Sequence, residues 1–221
     1  MTLASARAYN SPRLIARHAA ILAATRAELA DRGFHGVTMN RLAERAGVTK
    51  KTLYNIYQSK DALLAAAISD VIGTYREVPG ASEPGAAAIV ASRRAAIEQV
   101  RSAPDYAMAM MTALVQEEAG ALLTELLLQD SVASLVQHLE AERQRGGLCP
   151  GTDAEALALQ LTGQAWGQVL LLHRGLIDLD AYACGSVEGL LLLLKACAAG
   201  SLTAWIDNEL IDVNTDKHER D

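Results

Sequence analysis

Thr49, Lys50, Lys51, Thr52, Tyr54 and Asn55 bring hydroxyl groups, ammonium groups and an amide into one short run, interrupted by a single apolar residue, Leu53. Groups of this kind donate to phosphate oxygens and match the pattern that base pairs present in the major groove of a duplex. Lysine donates to guanine acceptors, asparagine reads adenine, and a threonine methyl touches thymine. The chemistry works only if one rigid element holds these side chains on a common face. The flanking sequence supplies that element. Leu42, Ala43 and Ala46 form an apolar face at helical spacing, Gly47 breaks it, and Val48, Leu53 and Ile56 resume it on a second short helix. A tight turn between packed helices needs a small residue at the crossing, a glycine able to take positive φ, and aliphatic residues on both sides. Thr38 to Lys60 therefore reads as a helix-turn-helix whose second helix presents polar groups outward.

The elements that would position it are marked by caps. A first helix is expected over Pro12 to Arg32, with Ile15, Ala19, Leu22 and Leu29 on its buried side, Gly33 as the residue after its end and Phe34 packing back. Thr38, Thr49 and Ser59 stand where they would cap the second, third and fourth helices, with Asp61 and Ala62 in the fourth's first turn. Residues 1–11 read as a flexible arm that Pro12 ends. The run VPGASEPG, from Val78 to Gly85, is a connection. Helical patterning then resumes at Ala86–Arg101, Pro104–Ala119, Ala121–Gln144, Asp153–His173 with Asp153 as cap, Leu179 or Asp180 to Ala199, and a short Leu202–Leu210.

Thr38 to Leu64 and the residues just before it resemble the N-terminal domain of TetR-family transcriptional regulators. Gly33-Phe34, Thr38, Leu42-Ala43, Ala46-Gly47-Val48 and Thr52-Leu53-Tyr54 carry the resemblance, and Tyr57 with Ser59-Lys60 completes it. It covers about the first quarter of the chain. Leu29 stands where many members have Phe, and Asn55-Ile56 replaces an aromatic or His pair common after the tyrosine. The resemblance implies an all-α chain, with a three-helix helix-turn-helix DNA-binding domain followed by a helical bundle for ligand binding and dimerisation. In residue terms it implies an arm at 1–11, a DNA-binding domain at 12–67, a body at 68–212 and a polar tail at 213–221. It further implies that Thr38, Thr49, Tyr54 and Lys60 meet phosphates of double-stranded operator DNA, hydroxyls and amides at helix N-termini being natural phosphate ligands. Lys50, Lys51, Thr52 and Asn55 are the candidates for base edges, and Tyr57 is counted in the same DNA-facing set.

The net charge of −6 points away from nucleic acid until the chain is divided. Through residue 67 there are 10 basic and 4 acidic side chains, a balance of +6, and the remainder holds 10 and 22, a balance of −12. A basic head on an acidic body fits one DNA-binding domain joined to a part with another task.

A recognition helix this short reads few base pairs, so specificity requires two copies on a two-fold site. Leu157, Leu161, Leu170, Leu171, Leu190, Leu191 and Leu194 either pair two chains as a homodimer or fill the chain's own core. Gly163 with Gly167 and Gly185 with Gly189, each four apart, would permit close approach across the axis. Tyr106, Met108, Met111, Leu114, His138, Gln164, Trp166 and His173 either line a pocket for a small apolar or amphipathic effector or belong to the core. Two functions follow: a repressor released from a palindromic operator by such an effector, or a ligand-independent regulator whose body docks a protein partner.

Other classes lack support. The chain has no P-loop, no GxSxG, no glycine-rich dinucleotide turn and no His/Cys/carboxylate set at metal-ligand spacing, so neither an enzyme nor a cofactor or metal is expected. No apolar run approaches the ~18 residues of a membrane span, and no leader is evident, so a cytoplasmic protein without a membrane partner is expected. Cys149, Cys184 and Cys197 include no close pair. On one helix, thirteen residues would set Cys184 and Cys197 roughly 220° apart, so free thiols are expected.

Overall fold

The computed structural model describes residues 12–76, 83–115 and 120–218. Among them every regular element is an α-helix, apart from an isolated antiparallel bridge between Leu148 and Ala198. The helices are α1 (Pro12–Gly36), α2 (Met39–Arg45), α3 (Lys50–Tyr57), α4 (Lys60–Arg76), α5 (Ala86–Ser102), α6 (Pro104–Val115), α7 (Gly120–Gln144), α8 (Ala154–His173), α9 (Leu179–Cys197) and α10 (Ser201–His218). The caps read from the sequence form: the side chains of Thr38, Thr49 and Asp153 each accept backbone N–H bonds from the first turn of α2, α3 and α8. The helix α1 breaks at Gly33 (φ 65°), after which Phe34 folds back and is buried.

The chain divides into two compact units, the first drawing on Met1–Gly73 and Asp105–Leu123, the second on Thr74–Pro104 and Thr124–Asp221. In the first, α1 packs on α2 and α2 on α3. Its core is built from Ile21, Leu29, Phe34, Val37, Leu42, Leu53, Leu63, Leu64 and Ile68. The buried face of α1 differs from the expected one. Ile15 is 58% exposed and Ala19 is exposed, while Ile21, Thr25, Glu28 and Leu29 face inward. Alanines at 19, 20, 23 and 24 leave the apolar stripe of α1 without a clear phase in the sequence, and packing on α2 selects it.

In the second unit α9 is the central helix, packed on α8, α10 and α5. Leu157, Leu161, Leu190, Leu191 and Leu194 fill this core, so five of the seven leucines considered for a dimer surface serve the chain's own interior. The glycines part in the same way. A Cβ on Gly189 would stand 2.5 Å from Gln164 Nε2, and one on Gly185 would stand 3.0 Å from Gln168 Oε1. These two glycines therefore seat α8 of the same chain, whereas Gly163 and Gly167 have nothing within 4 Å. The helix α10 also runs past Leu210 to His218, with Val213 buried, so the residues from 213 read as a polar tail are largely helical.

His138 of α7 is one of the ties within this unit. Its Nδ1 accepts the Gly85 N–H at 3.2 Å, and Glu142 Oε1, one turn on, accepts the Ala86 N–H at 2.8 Å. The two side chains thus satisfy N–H groups at the start of α5, where Gly85 offers no side-chain cap. Burial holds the His138 imidazole below its ordinary range. Protonation would charge a desolvated ring and remove its acceptor, and the unfolded chain binds that proton more readily. The resulting stability is complete above the unfolded value near pH 6.5 and is lost as pH falls toward the lower folded value. Unfolding by urea between pH 7.5 and 5 is expected to show a steeper acid loss in the native chain than in His138→Gln. Parallel curves for the two would contradict this.

Candidate nucleic-acid interface

The turn between α2 and α3 is set by backbone hydrogen bonds that only a positive-φ residue permits. Gly47, at φ 63°, donates its N–H to Glu44 O (3.2 Å), and Val48 donates to Ala43 O (3.0 Å). These two bonds satisfy the last carbonyls of α2 and reverse the chain within two residues. Thr49 then starts α3: its Oγ1 accepts the Thr52 N–H at 3.1 Å and lies 2.9 Å from Thr52 Oγ1. Leu53, with no exposed surface, anchors α3 to the core, and Lys50, Lys51, Tyr54 and Asn55 project from the opposite side into solvent. Lys50 Nζ sits 5.9 Å from the Tyr54 ring centroid, one turn away, so charge and phenol share one face.

At its other end α3 stops at Gln58, a non-glycine residue at φ 65°, where Ser59 donates its N–H to Tyr57 O at 2.7 Å. This strained reversal lets Ser59 Oγ accept the Ala62 N–H at 3.0 Å and begin α4 immediately. Tyr57 differs from the other candidate residues. It is half-buried, its hydroxyl lies 3.3 Å from His18 Nδ1 of α1, and the two rings tilt at 5.8 Å. Burial, aided by the Asp70 charge, pushes its phenol above the usual range, so it stays protonated. Lys60 is half-buried with Nζ 5.6 Å from the Phe34 ring centroid. Thr38 Oγ1 accepts the Arg41 N–H at 3.4 Å at the start of α2.

Ion pairs sort the cations of this unit into two groups. Glu28, almost fully buried, receives Arg45 at 2.9 Å and Arg32 at 3.0 Å, with Arg41 at 3.9 Å, and Arg45 also meets Asp31. Arg26 pairs with Asp70 at 2.7 Å. Arg41, Arg45 and Arg26 fasten α1 to α2 and α4, Arg32 pairs within α1, and the charge of all four is locally compensated. Among the described residues of 12–67, Arg13, Arg17, Lys50, Lys51 and Lys60 have no carboxylate partner. This sorting is not visible in the local pattern, because the role of Glu28 depends on α1 and α2 meeting across a turn. The one signal was a carboxylate, Glu28, standing beside apolar Leu29 on a helix.

The residues considered for an effector pocket fall in both units. Tyr106 (buried) and Met108 (half-buried) fall in the first unit, and the side chains of Met111 and Leu114 lie outside the described ones. In the second unit His138 ties down α5, as above. Gln164 accepts from Arg93 at 2.7 Å and donates to Gly185 O at 3.0 Å. Arg93 also donates to Leu161 O and Ser186 O, and desolvation lowers its guanidinium to about 10 against the opposing influence of Tyr182. Trp166 and His173 are half-buried. Two clefts described in this unit have other walls: one of about 200 Å³ between Arg94, Arg101, Cys184 and Val213, one of about 330 Å³ between Glu142, Arg145, Leu202 and Trp205. Among the described residues no group of three or more His, Cys, Asp or Glu is placed to hold a metal, and no helix is long and apolar enough to cross a membrane. The three cysteines are free and half-buried.

Residues 21–67 match the family model described as bacterial regulatory proteins, tetR family. No curated protein matches the chain. Similar solved structures include SmeT, the repressor of the Stenotrophomonas maltophilia multidrug efflux pump SmeDEF, at TM-score 0.66 and 17% identity, covering 84% of this chain and 92% of that one. FadR from Bacillus subtilis, in complex with stearoyl-CoA, superposes at TM-score 0.64 and 19% identity over 77% of this chain and 96% of its own. A TetR transcriptional regulator from Rhodococcus sp. RHA1 does so at 0.61 and 19%, over 82% and 97%. Residues 21–67, with the capped α2–α3 turn and the outward cations of α3, thus match the tetR-family model, and the chain shares the all-helical fold of these regulators.

Proposed function

We propose that this regulator is a repressor that grips a two-fold operator as a homodimer and is released by a small apolar or amphipathic effector. The observation that carries the DNA-binding half is α3 itself, fixed by Leu53 on one side and presenting Lys50, Lys51, Tyr54 and Asn55 on the other. The remaining candidates contribute differently. Thr38 and Thr49 offer hydroxyls at helix starts and Lys60 a cation, all suited to phosphates, while Thr52 and Tyr57 hold the helix in place.

Pairing through α8 and α9 accounts for an apolar strip that the chain leaves uncovered. Leu159 (58% exposed), Gly163, Gly167 and Leu170 (41%) follow one another along α8, and Leu192 (52%) lies on α9. Glycines with open space above them let a second helix approach closely. Replacing Gly163 by Arg adds bulk and charge where the chain itself has room. Sedimentation equilibrium is expected to give monomers of unchanged helicity, and an intact dimer would remove α8 from the interface.

Release requires an effector with different affinities for two conformers. The helix α4, whose residues fall on both sides of the division between the units, is the natural lever. That relatives of this fold include an efflux-pump repressor and a regulator holding an acyl thioester supports an amphipathic effector. Selection of duplexes from a random-sequence pool by the full-length chain tests the reading. A two-fold consensus bound by two chains, and displaced by amphipathic compounds, is expected; enrichment of no sequence would overturn it.

A further inference from the structure

The family match begins at Ile21, which is also the first buried residue of α1. Residues 12–20 are helical yet contribute no buried side chain, so core packing does not explain this extension. Two features give it a direction. It is tied to α3 through His18, whose Nδ1 lies 3.3 Å from the Tyr57 hydroxyl at the C-terminal end of that helix. Its two charged residues, Arg13 and Arg17, are exposed and have no carboxylate partner among the described residues, although the arginines deeper in the unit are paired with acids.

We propose that the first two turns of α1 are a second DNA-contacting element, with Arg13 and Arg17 binding backbone phosphates that flank the groove occupied by α3. The inference rests on the reading of α3 as the recognition helix. The His18–Tyr57 contact fixes the extension beside α3, and the six residues ahead of His18 carry it roughly 9 Å further at 1.5 Å per residue. Arg13 and Arg17, four residues apart, share one face with about 6 Å between their levels, and a DNA strand carries a phosphate every ~3.4 Å of axis. A helix ladder of two guanidiniums therefore suits two phosphates of one strand, with bidentate geometry that lysine lacks. The remaining cations without acidic partners, Lys50 and Lys51 at the start of α3 and Lys60 just beyond its end, carry positive charge along the same recognition helix.

The test compares Arg13→Ala/Arg17→Ala with Lys50→Ala/Tyr54→Ala in the full-length chain, by fluorescence anisotropy over a potassium chloride series. The probes are a labelled duplex selected by the native chain and a labelled duplex of scrambled sequence. For the arginine variant we expect on the order of tenfold weaker binding to both duplexes, with sequence preference kept. The slope of log K against log salt should shrink by about 1.8 per protomer, at ~0.9 per phosphate. Arg13→Lys/Arg17→Lys should restore most of that slope, and circular dichroism should match the native chain. An unchanged slope with the arginine variant overturns the proposal, as does loss of sequence preference alone, which would indicate base contact. A change from dimer to monomer overturns it too, by making the segment a protein interface. Failure of the recognition-helix reading looks different: the lysine–tyrosine variant would then bind the selected duplex like the native chain.

Discussion

Replacing Lys50 and Tyr54 together by alanine is expected to weaken binding to a selected duplex by about two orders of magnitude, while oligomeric mass and helicity stay as in the native chain. Both side chains are exposed on α3, and the contact they make with each other is on its surface. Removing them leaves Leu53 in the core and the Thr49 cap intact, so the helix itself survives. A cation and a phenol on a recognition helix each contribute about 1–3 kcal/mol when they meet DNA, and the two act on one face. Gel shift and anisotropy measure the loss, and sedimentation checks the mass. Native-like affinity in the double variant would remove α3 from the DNA-binding role.

The second large effect is expected from the opposite face of the same helix. Leu53→Ala removes a side chain with no exposed surface at the point where α3 meets the core of the first unit. Truncations of this kind cost about 2–5 kcal/mol, according to how far the site collapses. That is a large share of what a small helical unit has in hand. The core here is short of large side chains: the chain holds one phenylalanine, and the first unit relies on leucine, isoleucine and valine. Thermal unfolding followed by circular dichroism is expected to show an early transition for the first unit, with DNA binding lost at temperatures the native chain tolerates. Melting that coincides with the native chain would mean that α3 is held by something other than Leu53. The two variants separate the roles of one helix. One disables its surface and leaves its anchor, and the other does the reverse.

The head was legible in the sequence because its determinants are local. Gly47 needs positive φ two residues past the end of α2, Thr38 and Thr49 must reach N–H groups three residues on, and Ser59 restarts the chain after Gln58. Each is a relation between near neighbours, and residue type and spacing alone express it. The body carries few such marks. Its helices were located to within a residue or two at most ends, since Asp153 and the Gly146-Gly147 break are again local. Which face each helix turns inward was not. Leucine occupies both sides of α8 and α9, so the same composition serves the interior at Leu157, Leu161, Leu190 and Leu194 and the surface at Leu159, Leu170 and Leu192. Gly185 and Gly189 share the spacing of Gly163 and Gly167, and only Gln164 and Gln168, seated against the first pair, distinguish them.

By itself, then, the sequence determined the class of the fold, the helix-turn-helix and the residues its second helix shows to solvent. Hydrogen-bond caps and a positive-φ turn admit few alternatives once the residue types are given. Only the tertiary structure decided how charge is divided. Glu28 pairs with Arg45 across the packing of α1 on α2 and with Arg32 along α1, while Arg13, Arg17, Lys50, Lys51 and Lys60 have no carboxylate among the described residues. It also decided which distant groups His138 and Gln164 bond within the chain. The physical reason is the same in each case. A buried polar group must find its partner wherever the fold brings one, and residues 53, 21 or 17 positions away along the chain carry no sign of it in the local pattern.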